Sequence, residues 1–123
     1  MRRRDFIIAA GSLATVGALN GCSSTRPGAL VRTQAGQIRG EIAAGVHRFL
    51  GVPYAEPPFG ELRFKAPVPR KSWDGVYTAN RYGLACPQTG RPQPGVPVAG
   101  EDCLNLNVWT PDPSATDLPV MVW

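Results

Sequence analysis

The sequence predicts a loop-rich globular piece built mostly of short β-strands, on three observations. Segments 30–33, 37–42 and 104–109 alternate polar with apolar residues, the period of strands with one buried face. Gly (14) and Pro (13) are frequent among the 123 residues, so turns must separate short elements. Hydrophobic residues nonetheless make up 43%, with three Trp, a content that disordered chains lack. No internal repeat and no long amphipathic helix interrupts this pattern.

Residues 1–22 read as an export signal. Arg2, Arg3 and Arg4 give a positive start. Phe6 to Leu19 then form a weakly apolar stretch, suited to a signal core and short of the roughly 20 residues of a membrane-spanning helix. Arg3-Arg4-Asp5-Phe6-Ile7 resembles the twin-arginine export motif, which a receptor reads as an address. Leu19-Asn20-Gly21-Cys22 resembles a bacterial lipoprotein processing box, with Asn20 where a small or apolar residue is usual. Two fates stay open for Cys22: lipidation, or loss with an ordinary secretory signal. Lipidation would attach the protein to a membrane on the outer side of a bacterial cell envelope; otherwise it would be periplasmic.

Residues 23–29 read as a polar tether, and 30–123 as the domain. Leu30–Thr33 and Gln37–Ile42 suggest a hairpin around Ala35-Gly36. Val46 to Val52 suggests a third strand. Prolines at 53, 57, 58, 67 and 69 stop any regular element from running far. Asp74-Gly75 is a turn signal, and residues 89–100 read as a surface loop. Leu104–Trp109 is expected as a strand with one buried face. Pro119 to Trp123 is nearly all apolar, as in a strand buried on both faces, and an ending there is expected of a truncated chain.

The formal charge is +4, from 13 Lys+Arg against 9 Asp+Glu. Three of the basic residues sit in the leader, and the rest are scattered, which argues against a nucleic-acid partner. A hydrolytic site needs a nucleophile, a base and an oxyanion hole within reach of one another. Neither Ser12, Ser23, Ser24, Ser72 nor Ser114 lies in a Gly-x-Ser-x-Gly elbow, and the one histidine, His47, falls in the third strand as a solvated or cross-strand residue. Glu101 and Asp102 are adjacent, so in a strand they would point to opposite faces. No catalytic residue, cofactor site or metal site is expected in the chain. If Cys22 carries lipid, Cys86 and Cys103 remain either as a disulfide in an oxidising compartment or as two buried thiols.

Several segments resemble the type-B carboxylesterases, relatives of the cholinesterases. They are Val31 to Gly40, Phe49 to Phe64, Trp73-Asp-Gly-Val76, Cys86-Pro-Gln88 and Glu101-Asp-Cys-Leu-Asn-Leu-Asn-Val-Trp-Thr-Pro111. In the last, Asn105 stands where an aromatic residue or Thr is more usual. The resemblance implies an α/β-hydrolase fold, of which this chain supplies the N-terminal, mostly β portion. It implies a Ser–Glu/Asp–His triad acting through an acyl-enzyme on small-molecule carboxylic esters, with triad and oxyanion loop beyond Trp123. It also implies a disulfide between Cys86 and Cys103, and an ion pair between Arg63 and Glu101. The alternative function is a non-catalytic, cholinesterase-like adhesion protein, since fold alone does not fix activity.

Overall fold

The computed structural model describes residues 26–90 and 94–122, which leaves Cys22 and the rest of the leader outside. Five strands form one sheet: β1 (Arg26–Arg32), β2 (Gln37–Ala43), β3 (Val46–Pro53), β4 (Val76–Thr78) and β5 (Asn105–Thr110). Their order is β1-β2-β3-β5, with β4 lying parallel beside β2. A single 3₁₀ turn, Gly60–Leu62, interrupts the Pro-rich segment.

Local chemistry explains both hairpins. The β1–β2 loop closes through Thr33, whose N–H and hydroxyl both donate to the Gly36 carbonyl at 2.8 Å. The β2–β3 loop consists of Ala44 and Gly45, with φ of 50° and 79°. Positive φ at both central residues matches the twist of a tight hairpin, but Ala pays a steric cost there that Gly does not. Glu41 and Arg48 lie directly opposite across β2 and β3, and their side chains meet at 2.6 Å.

β2 and β3 pair from Glu41↔Arg48 to the turn and then part. β4 enters the wedge: it pairs with residues 37–39 of β2, and Leu50 bridges to Asn80. Ala79 fills the apex. It is fully buried; its N–H donates to the Arg39 carbonyl at 2.8 Å, and its carbonyl accepts from Leu50 N–H at 2.9 Å. Around it pack Ile38, Phe49 and Val52, flanked by the partly buried Val31 and Trp73. Tyr77 packs against Trp73, ring centroids 5.5 Å apart and planes tilted by 48°, and donates its hydroxyl to the Gly51 carbonyl at 2.9 Å.

The register of β3 against β5 shifts between Phe49 and Val52, a bulge centred on Gly51. Gly51 has φ of 65°, and a Cβ there would sit 2.5 Å from the Arg81 carbonyl oxygen. Its N–H, released from the ladder, donates to Asn107 Oδ1 at 2.8 Å. The bulge lets Phe49, Leu50, Gly51 and Val52 all be buried in succession.

Three sequence expectations need correction, and one strand, β4, was not expected. The first strand starts at Arg26, inside the segment read as tether, because Pro27 and Gly28 pair with β2 through a bulge. β4 follows directly on the Asp74-Gly75 turn and gave no alternating signal, being three residues long. On β5 the apolar face is not buried: Leu106 and Val108 keep 42% and 40% exposure, and Trp109 on the other face keeps 44%. Residues 119–122 form no strand, and Val120, Met121 and Val122 are at least 80% exposed. A strand apolar on both faces needs a ladder partner and two covering layers. Among the described residues no backbone hydrogen bond reaches this run.

Gly51→Ala should therefore lower stability by about 1–3 kcal/mol, through backbone strain at positive φ plus the clash with Arg81. Ala44→Gly should act in the opposite sense, raising stability by up to about 1 kcal/mol. Denaturant midpoints of the two variants in the full-length protein check both signs; a neutral Gly51→Ala would contradict the bulge.

Candidate functional site

Among the described residues, titratable and nucleophilic side chains come together at the ends of loop 86–103 and on the two legs of the Pro-rich segment, besides the Glu41–Arg48 pair already described and the turn at Asp112. The Pro-rich segment closes on itself, with Ala55 bridging Pro69 and Glu56 N–H donating to the Val68 carbonyl at 2.8 Å. Its legs place Glu56 beside Arg70. Arg70 Nη1 lies 3.8 Å from Glu56 and 3.6 Å from Asp102, and Glu56 Oε1 accepts from Lys71 N–H at 2.8 Å. Pro53, Glu56, Arg70, Lys71, Trp73 and Tyr77 line an open depression of ≈ 310 Å³. The indole and phenol there are already bonded, to the Gln37 and Gly51 carbonyls. What remains is a partly exposed ion network that fastens the Pro-rich segment to the residues preceding β5.

Arg70 was not singled out in the sequence, and nothing local marks it; its role comes from Glu56 and Asp102 arriving on either side. Arg63 and Glu101 were singled out, but the ion pairs among the described residues do not join them. The Arg63 guanidinium instead lies 5.1 Å over the Phe64 ring, and Glu101 is exposed in a bend. Glu101 and Asp102 precede β5 rather than lying in a strand, so a strand's alternation does not govern where they point.

Cys86 and Cys103 do meet. Their Sγ atoms are 2.7 Å apart, with Cys86 exposed and Cys103 buried. Backbone contacts hold the loop ends together independently of sulfur. Ala85 N–H donates to the Val98 carbonyl, Gly100 N–H donates to that of Ala85, and the Asn105 amide donates to Leu84. The Cys86 thiol facing it, together with burial, raises the Cys103 thiol above its ordinary pKa.

No hydrogen bond links a serine to His47 among the described residues. His47 Nδ1 accepts from Ala29 N–H at 3.5 Å, while Ser114 donates its hydroxyl to Asp112 Oδ1 at 2.6 Å. The Ser114 hydroxyl and N–H hold the Asp112 carboxyl below its usual range. This is a turn that ends β5, not an acid–base pair. Among the described residues no group of three or more His, Cys, Asp or Glu is placed to hold a metal ion.

Among the described residues the sheet thus carries a juxtaposed cysteine pair and no serine hydrogen-bonded to His47. Residues 27–123 match the model of the Carboxylesterase family. The chain belongs to that family. It is 45% identical over 98 residues to the para-nitrobenzyl esterase of Bacillus subtilis (strain 168), covering 76% of this chain and 20% of that protein. Similarity to the phenmedipham hydrolase of Pseudarthrobacter oxydans is 44% over 107 residues, covering 80% and 21%. A solved para-nitrobenzyl (PNB) esterase superposes with a TM-score of 0.70 at 45% identity, over 76% of this chain and 20% of the other. The fold is that of the α/β-hydrolases, of which the described residues form a mostly β part. The chain spans about a fifth of the length of these curated relatives.

Two expected outcomes test the site's electrostatics. Replacing Cys86 with Ala removes the first cause of the Cys103 shift, so Cys103 should titrate closer to an ordinary thiol. A pH series of alkylation rates on the reduced protein reads this. A thiol raised in the folded state stabilises the reduced protein below the ordinary thiol pKa and loses that contribution as pH rises through the raised value. Arg70→Ala should cost no more than about 1 kcal/mol, because the network is partly solvated. It should also speed hydrogen exchange at Glu56 and Lys71, and unchanged exchange there would show that Arg70 fastens nothing.

Proposed function

We propose that this chain is the N-terminal portion of an exported serine carboxylesterase that hydrolyses small-molecule carboxylic esters through an acyl-enzyme. The observation that carries the reading is the family match over residues 27–123, with 45% identity to a para-nitrobenzyl esterase. In this reading the triad and the oxyanion donors lie C-terminal to Trp123. The described sheet then frames the site, with β5 leading toward the loop whose backbone N–H groups would stabilise the oxyanion.

The same reading assigns residues 1–22 to export and Cys22 to lipidation, on Arg3-Arg4 and the Leu19–Cys22 box. It joins Cys86 and Cys103 as a disulfide once the protein is outside the cytoplasm. Closing a loop of 17 positions stabilises by roughly 3 kcal/mol in the chain-entropy treatment. Support comes from the juxtaposed sulfurs and from the backbone bonds that bring them together. Twin-arginine export carries folded proteins, so the fold would have to form before the bridge.

The full-length protein should hydrolyse a short-chain activated ester, with activity abolished by replacing the elbow serine. Residues 22–123 alone should show no turnover and no cooperative unfolding. A full-length protein with no elbow serine and no turnover would overturn the enzyme reading in favour of a binding role. Cys22→Ser should release the protein from membranes, and Lys at positions 3 and 4 should block export. A mature N-terminus elsewhere, without lipid, would rule out the lipoprotein.

A further inference from the structure

The two sulfurs of the loop pair are close together but differ in their access to solvent. Cys86 is exposed, whereas Cys103 keeps 8% exposure beneath the start of β5. The backbone bonds of Ala85 and Gly100 and the side-chain amide of Asn105, which donates to the Leu84 carbonyl, hold the loop ends in register independently of the sulfurs. Oxidation then requires no search by the chain, but it does require a partner to accept two electrons. A bulky disulfide can reach the outer sulfur and is screened from the inner one.

We propose that Cys86 is the site at which an external disulfide exchanges onto this protein, and that Cys103 resolves the resulting mixed disulfide into the internal bridge. The inference rests on the reading that the two cysteines pair in the exported protein. In the first step the Cys86 thiolate attacks one sulfur of an external disulfide, forming a mixed disulfide and expelling one thiolate. In the second, the Cys103 thiolate attacks Cys86 Sγ, forming the internal bond and expelling the other thiolate. The two protons shed by Cys86 and Cys103 end on the two leaving thiolates, and the external disulfide is reduced by two electrons. The order is reinforced electrostatically. The Cys86 thiol is the leading cause of the raised Cys103 pKa, and that cause disappears when Cys86 carries the mixed disulfide, freeing Cys103 to ionise. Cys103, ionised and held against Cys86 Sγ, is then placed to attack it.

Oxidised glutathione added to the reduced, natively folded full-length protein tests this, with acid quenching and peptide mapping that resolves Cys22 separately. Cys103→Ser should accumulate a glutathione adduct on Cys86. Cys86→Ser should acquire one on Cys103 on the order of tenfold more slowly, because access controls the exchange rate. In denaturant the two rates should converge. Substoichiometric N-ethylmaleimide on the reduced wild type gives the same ordering without any substitution, labelling Cys86 first. Equal native rates, or preferential capture at Cys103, would overturn the assignment. Failure of the bridge itself has a different signature: a glutathione adduct that persists on Cys86 of the wild type would overturn the resolving role.

Discussion

The two backbone hydrogen bonds of Ala79 are the constraint on which the rest of this structure depends. β2 and β3 pair for only a few residues before they diverge, which leaves the Arg39 carbonyl and the Leu50 N–H facing a gap. Buried polar groups left without partners cost about 1–3 kcal/mol each. Ala79 answers both at once, and its small side chain leaves room for Ile38, Phe49 and Val52 to close around it. The register of β4, the placement of Tyr77 on Gly51 and the packing of Trp73 all follow from that single residue's position.

The bulge at Gly51 is the second consequence of the same divergence. Turning β3 at positive φ buries four consecutive residues and frees an N–H that only a side chain from β5 can take. Asn107 supplies it, so β5 is keyed to β3 by side chain as well as by ladder. One position earlier in the alternation, Asn105 reaches back to Leu84 and fixes the stretch that carries Cys86. The polar residues of β5 thus position the cysteine pair, while its apolar residues stay largely exposed.

Magnitudes separate the two ties that hold the irregular segments. The Arg70 network is partly solvated, with contacts of 3.6 and 3.8 Å, and belongs to the class of ion pairs worth at most about 1 kcal/mol. A bridge across the 86–103 loop would contribute roughly three times as much. If formed, that bridge would outweigh the ion network in fastening these segments.

The sequence by itself determined the first hairpin and the third strand, because alternation and the turn residues at 35–36 act within a few positions. It also determined family membership, since the ordered motifs from Val31 to Pro111 do not depend on contacts. It announced Cys86 and Cys103 as a pair by count and by motif, but not that one sulfur would be exposed and the other buried. Tertiary structure alone decided β4, whose three residues have too short a run to show a period and exist as a strand because a wedge opened beside β2. It likewise decided that Arg70 lies between Glu56 and Asp102: the Pro-rich segment folds back at Ala55 and Pro69, and no local pattern encodes where a looped chain returns. The apolar run 119–122 marks the limit in the other direction. Its composition specifies a strand, yet strand formation needs hydrogen-bonding partners and covering layers that composition cannot provide.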